Sequence, residues 1–536
     1  MLGRIIENWL TSVNERQYQI PFCQLLSAEG ESVIDISSHH PHEKGKDIVT
    51  VLPDQTVKAY QLKAGRIDLS TWHSIEGEIN NLVELPVEHP SIKVKKWHQP
   101  VLVTNGDITP PVIDQIRSKN ESFRRRRLPR LGLIVKGELL RRFETLHGHY
   151  LPKEPEDFSR FLKLVLQAGR DPLDKDQFSA FLETVIPMRE PGVTNLNLGR
   201  SVASATLLAS YALHGCEAVE NHWGIFEGWI VVAAYCLAIA EKVQLPQQYW
   251  KTSFELCVLA AQRALQRLVE ECRGRSYFAE GDLFTDGHFF RYRMTLLIGL
   301  LSAWGLIEHH DVRTSADIDF VDTFVAKHLK ESTAWGEAAI PFYSLAALLL
   351  EQRAQQPLSE ALASNLIALM TQQNRDDLNR RPGFPNTYYS PEAAVRLTCG
   401  LDRNNLENFA GFLYTVPPLV DFLARRWRKY DLTGLWYSIT RISMQRFEPG
   451  QCWEWLTWRC RTGKLVSTFA KEPQKWSDLV AEAEGLDTSS VPALARRNPA
   501  FLAMFILVFP HRYDRAVQKL LEDWSFSRKV GNVESP

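Results

Sequence analysis

Asp47, Gln61 and Lys63 are the residues whose types and spacing could do chemistry. They lie within Lys44–Gly65, KGKDIVTVLPDQTVKAYQLKAG. The stretch reads as two short apolar strands around a turn, with Pro53 where a type I turn accepts a fixed φ. Side chains alternate faces along a strand, so Gln61 and Lys63 point one way and Tyr60 and Leu62 point to a core on the other. Asp47 opens the partner strand and can lie near both across the hairpin. A carboxylate, an amide oxygen and an ammonium would then share one small site. A hard cation such as Mg²⁺ takes oxygen ligands and keeps several waters. Asp47 offers a charged ligand, Gln61 a neutral one and the Leu62 carbonyl a third. Lys63 could orient a water or steady its hydroxide form. A cation there would polarise a phosphate and lower the pKa of water, which is the equipment for phosphodiester hydrolysis. Mn²⁺ is expected to substitute for Mg²⁺.

The elements that must position these residues follow from hydrophobic periodicity. Leu2, Ile5, Ile6, Trp9, Leu10 and Val13 fall on one face of a helix. SVIDISS reads as a strand and precedes the hairpin. Trp72, Ile75, Ile79, Leu82 and Val83 mark a second helix. QPVLVTNG is a buried strand ending in a turn. PPVIDQIRSK opens a helix with prolines in its first turn. LGLIVKG is a last strand and ELLRRFE a closing helix. This mixture predicts an α/β domain, a central mixed sheet flanked by helices, over residues 1–150. Beyond Pro152 and Pro155 the patterns are long and helical with few convincing strands. The expectation is an all-α region, split near NRRPGFPNTYYSPE into a helical domain over 151–378 and a C-terminal sensor or assembly subdomain over 379–536.

Here the hairpin and its context resemble the PD-(D/E)xK restriction-endonuclease-like superfamily, and within it the Mrr-like group, where Gln-x-Lys replaces the acidic-x-Lys. That pattern is a helix with a glutamate, an aspartate on one strand and [D/E/Q]-x-K on the next. It falls on Glu7, Asp47 and Gln61-Leu62-Lys63. VLVTNGDITPPVIDQI and LGLIVKGELL resemble the closing strand–helix–strand segment. The resemblance covers the first quarter of the chain. It implies a restriction-endonuclease-like fold, DNA as substrate, and a bacterial restriction or anti-phage defence role. A glutamine cannot carry a second negative charge, so metal binding should be weaker and favour a single ion. Glu7 flanks Ile6 and could reach the metal through water, with Glu15 as the second candidate.

Other features bound this reading. Lys44, Lys46, Arg124, Arg125, Arg126, Arg127 and Arg130 are candidates for phosphate contacts. RRWRKY (425–430) and WEWLTWRCRTGK (453–464) interleave basic and aromatic residues that could stack on bases or flank nucleic acid, but tryptophans at helical spacing favour a core. His39, His40 and His42, and EHHD at 308–311, lack zinc-ligand spacing and read as loop or cap residues. The formal net charge of -1 argues against a wholly basic nucleic-acid coat. Eight cysteines without a CxxC pair suggest a reducing cytoplasm. The N-terminus does not read as a secretory signal. No apolar run reaches the ~20 residues of a spanning helix, so no membrane is expected. G-x-x-x-x-G-K-[ST] is missing, so a motor such as an ATPase would have to be a partner protein. A homo-oligomer is expected. The alternative function is a non-catalytic helical scaffold or DNA-binding protein with a degenerate nuclease domain.

Overall fold

The structure, a computed structural model, describes residues 2–36, 46–89, 92, 97–147, 155–186, 188, 193–274, 287–307, 315–374, 383–400, 412–460, 462–468 and 474–531. It divides into two compact units, Met1–Cys236 with Leu245–Ala260, and Leu237–Gln244 with Ala261–Pro536. The boundaries expected at 150 and 378 lie outside the described residues.

The first unit opens with α1 (Leu2–Ser12) and α2 (Glu15–Ala28). The strands are β1 (Ser32–Ile36), β2 (Ile48–Val51), β3 (Val57–Lys63), β4 (Gln99–Thr104) and β5 (Gly132–Ile134), with α3 (Leu69–Glu84), α4 (Pro110–Arg125) and α5 (Lys136–His147) after β3, β4 and β5. They form one mixed sheet in the order β1-β2-β3-β4-β5. β1, β2 and β3 are antiparallel neighbours, whereas β3, β4 and β5 run parallel. The expected α/β mixture and mixed sheet are therefore present. The hairpin turn forms as its proline predicts, with Gln55 N donating to Leu52 O at 2.9 Å.

Each face of the sheet is covered for a reason visible in the residues. Ala59 and Leu102 pack under Trp72, Ile75, Ile79 and Leu82 of α3 and Val112 and Ile116 of α4. On the opposite face Phe22 of α2 meets Tyr60 edge-on at 5.4 Å. α2 is a helix that the expected element order lacks. It starts with a capping box in which Asn14 and Gln17 satisfy each other's backbone N–H, and it runs through Pro21.

The chain continues through α6 (Pro155–Val165), α7 (Lys175–Val185), α8 (Asn195–Ala212), α9 (His214–Ala218), α10 (His222–Val243) and α11 (Lys251–Gly274). Within the first unit α8 packs on α2, Trp9 and Tyr211 rings lie 4.6 Å apart, and Ser253 Oγ donates to Gln24 Oε1 at 3.1 Å. α10 is long and apolar enough to cross a bilayer by length and composition, but its most apolar window is 94% buried inside the fold, as a core helix is.

The second unit is mostly helical, but it is not all-α. Phe412–Leu413, Ser443–Glu448 and Lys464–Thr468 form a second sheet, β6-β7-β8. The strands are short, and none has a strict polar–apolar alternation or a long apolar run, so they carry little signal against the helices around them. Cys23, Cys216, Cys236, Cys257 and Cys272 are buried thiols outside any disulfide, in keeping with apolar helical runs.

Candidate functional site

Asp47, Gln61 and Lys63 meet at the carboxyl end of β3. Asp47 sits one residue before β2, and the register Ile48↔Tyr60 continues to place it opposite Gln61. Opposed residues of an antiparallel pair share a face. Asp47 Oδ2 accepts the Leu62 N–H at 2.6 Å. Gln61 and Lys63 both reach Glu78 on α3: Gln61 Nε2 lies 3.3 Å and Lys63 Nζ 2.8 Å from Glu78 Oε2. Glu15, at the first turn of α2, stands 3.8 Å from Lys63 Nζ through Oε2 and accepts the Ala64 N–H at 3.3 Å through Oε1. Asp47 and Gln61 are each only 4% exposed, whereas the Glu78 side chain is 47% exposed and forms a rim.

Two carboxylates, Glu15 and Glu78, therefore stand against one ammonium, and the charge of Asp47 acts on it from farther away. Burial alone would depress the Lys63 pKa, but the hydrogen bond to Glu78 and the charges of Glu15, Glu78 and Asp47 outweigh it, so the net shift is upward. Lys63 stays protonated at neutral pH. Gln61 Oε1 is buried and has no hydrogen-bond partner among the described residues. Flipping the amide would aim its oxygen at the Glu78 carboxylate, so the orientation is set by that contact. A buried carbonyl oxygen without a donor is costly, and a cation would satisfy it.

Helix α2 holds this end of the sheet from behind. The Tyr18 hydroxyl donates to Lys63 O at 2.9 Å and lies 3.3 Å from Val103 O. Gln19 Nε2 donates to Asp47 O at 3.2 Å. Two neighbouring side chains thus grip the backbones of both charged residues. The loops after β3 and β4 are tied together as well. Asn105 Oδ1 accepts Gly65 N at 2.7 Å while its amide donates to Leu10 O and Val13 O. Gly106 is required here, because a Cβ would lie 2.2 Å from the Gly65 backbone.

The remaining candidates are placed elsewhere. Glu7 pairs with Lys136 at 3.2 Å rather than with the cluster, and Glu15 takes the position beside Lys63. Lys46 is buried, at 8% exposure. Lys44, the histidines of 39–42 and EHHD lie outside the described residues. Arg124–Arg127 and Arg130 are exposed at the far end of α4, with Arg124 on Glu121 and Arg126 on Glu84. α4 starts beside the tied loops and spans about 24 Å at the usual helical rise, so these arginines sit at the opposite end of the sheet from Lys63. In the second unit Arg425 and Arg426 of RRWRKY are half-buried and held in ion pairs. Trp427, expected in a core, is 67% exposed, and Tyr430 beside it is 91% exposed. Trp455 is buried as expected.

The reading of the sequence did not single out Glu78, Tyr18 or Gln19. Glu78 had a signal: it lies three residues after Ile75 and beside Ile79, at the edge of the apolar stripe that must face the sheet. Tyr18 and Gln19 were hidden with α2. Among the described residues no group of three His, Cys, Asp or Glu side chains is placed to hold a metal, so any cation here must use the amide oxygen of Gln61 as well as carboxylates. No protein-family model, curated protein or solved structure matches the chain.

Proposed function

We propose that this chain is a metal-dependent endonuclease that hydrolyses DNA phosphodiester bonds. The observation that carries the reading is the buried Gln61 oxygen, without a donor, beside Asp47 and Lys63 at one strand end. The order of helix, antiparallel meander and parallel strand is compatible with the restriction-endonuclease-like fold that the Asp47 and Gln61-x-Lys63 pattern resembles. Asp47, Gln61 Oε1 and the Leu62 carbonyl would hold Mg²⁺ or Mn²⁺. When bound, such an ion neutralises phosphate charge and makes water easier to deprotonate. Lys63, held protonated, acts as a cation and hydrogen-bond donor to the attacking water and the phosphate, not as a base. The water oxygen attacks phosphorus and gives its proton to bulk water, the phosphorus–oxygen ester bond breaks, and the leaving oxygen takes a proton from solvent. Tyr18 and Gln19 fix the backbone geometry on which this depends.

The setting we propose is bacterial restriction or phage defence in the cytoplasm, with the second unit sensing a trigger or assembling copies and partners. That setting rests on the resemblance of the N-terminal pattern alone. One observation favours the non-catalytic alternative, namely that Glu78 already engages Lys63. Cleavage of plasmid, linear duplex and single-stranded DNA separates the two. Asp47→Ala and Lys63→Ala each abolish Mg²⁺-dependent products with the circular dichroism spectrum unchanged if the site is catalytic. Full activity in both variants dismisses these residues.

A further inference from the structure

We infer that Glu78 supplies the second negative charge of the cation site, the charge that a glutamine at position 61 lacks; this rests on the metal-dependent reading above. Pairs of carboxylates are the common way to hold a hard divalent ion, because one charge leaves it poorly neutralised. β3 provides an amide where a second acid would sit. Helix α3 lays Glu78 on the same face of the sheet, in contact with both Gln61 and Lys63. The two oxygens of Glu78 are not used alike. Oε2 faces Lys63 Nζ and Gln61 Nε2, whereas Oε1 has no hydrogen bond among the described residues. Glu78 can therefore take up a cation through Oε1 and still steady Lys63 through Oε2.

Carboxylates near one another are common on protein surfaces and do not make a site. The independent observation is Gln61 Oε1, which is 96% enclosed with its residue and has no donor. Glu78 fixes the amide that aims this oxygen, so the carboxylate and the orphaned oxygen belong to one arrangement. α3 is held firmly enough to serve. Asp68 caps its N-terminus by accepting Thr71 N at 2.9 Å, and Ile75 and Ile79, on either side of Glu78, are buried in the core. Glu15, on the other side of Lys63, already accepts the Ala64 N–H through one oxygen and faces the ammonium with the other, so it is the weaker candidate for the same task.

The test is a titration of the full-length chain with Mn²⁺, followed by the loss of the free-ion electron paramagnetic resonance signal, with Mg²⁺ as competitor. Wild type is expected to bind one Mn²⁺ that Mg²⁺ displaces. Glu78→Gln weakens binding by about tenfold or more, in the range seen when a metal site loses a supporting group. The double variant Gln61→Glu/Glu78→Gln, which moves the charge to the strand, recovers most of that loss. If Glu78→Gln binds like wild type while Asp47→Asn does not, Glu78 is no ligand and the metal site itself stands. A loss in Glu78→Gln that Gln61→Glu fails to recover assigns Glu78 to holding Lys63 and overturns the inference. If wild type binds no Mn²⁺, the metal-dependent reading falls with it.

Discussion

Two groups of charged side chains, one in each unit, make opposite use of burial. In the second unit Arg425 and Arg426 face Glu351 and Glu522. Arg425 Nη2 and Arg426 Nη1 lie 2.6 and 2.7 Å from the two oxygens of Glu522, and Arg426 also forks onto Glu351. Spare donors go to Ala483 O and Phe422 O. Charges balance, and burial, which would raise the Glu522 pKa, is outweighed by Arg426 and Arg425, so its pKa is lowered. At the end of β3 the balance fails: one ammonium faces two carboxylates, with the charge of Asp47 farther away, and a buried amide oxygen is left without a donor. A closed network holds a fold together, whereas an open one awaits something from outside. Arg425 and Arg426 of RRWRKY, basic residues that suggest nucleic acid in the sequence, belong to the closed kind.

The comparison breaks first at Lys63. Lys63→Met should lower DNA cleavage by about a thousandfold or more, a loss of roughly 4 kcal/mol in transition-state stabilisation. Urea unfolding should move little, because Glu15 and Glu78 remain open to solvent. An unfolding midpoint that falls steeply with activity would make Lys63 structural, like Arg426.

Glu522→Ala should do the reverse. Leaving Arg425 without its carboxylate and Arg426 with Glu351 alone costs about 3–5 kcal/mol, read as a drop in the denaturation midpoint. The native contribution is present above the ordinary carboxylate range and is lost as pH falls through the lowered Glu522 value. Stability of wild type and Glu522→Ala should therefore converge in acid.

Glu337 offers an intermediate case. It is buried and accepts Tyr414 N, Thr415 N and the Thr415 hydroxyl through Oε1. No cation pairs with it among the described residues, and burial pushes its pKa up to about 7 against those hydrogen bonds. The folded state then holds a proton that the unfolded chain releases near pH 4.5, so stability falls as pH rises between those values. Glu337→Gln should remove that slope, worth up to about 3 kcal/mol, and should be more stable than wild type at pH 8 but not at pH 4. An unchanged slope would deny Glu337 any part in it.

The smallest effects belong to α2. Tyr18→Phe removes the hydroxyl from Lys63 O and should cost about 1 kcal/mol of stability. It should also reduce the turnover rate severalfold without altering DNA binding. Equal losses in Gln19→Leu would show that both grips act on the same geometry. Loss of DNA binding instead would place them in substrate recognition.

Much of the first unit was legible from alternation and helical stripes. Tyr60 and Leu62 face one way and Gln61 and Lys63 the other, and Trp72, Ile75, Ile79, Leu82 and Val83 are buried as their spacing requires. α2 escaped because Pro21 reads as a helix break in the sequence and its buried face includes Gln19 and Gln24, which read as polar surface. Its capping box at Asn14 and Gln17 was the available signal. Glu7 and Glu15 could not be told apart by sequence, since the turn between α1 and α2 decides which one meets Lys63. β6, β7 and β8 were too short to outweigh the helical patterns beside them. Trp427 is exposed because the chain turns there with a positive φ of 57, which spacing along a helix cannot show.

The central claim is that the open cluster at the end of β3 holds a cation. The most direct measurement is the anomalous scattering of crystals of the full chain soaked in Mn²⁺. The account predicts a single strong peak within coordination distance of an Asp47 carboxylate oxygen and Gln61 Oε1, absent from Asp47→Ala crystals. Crystals that show no peak there, or the same peak in Asp47→Ala, would contradict it.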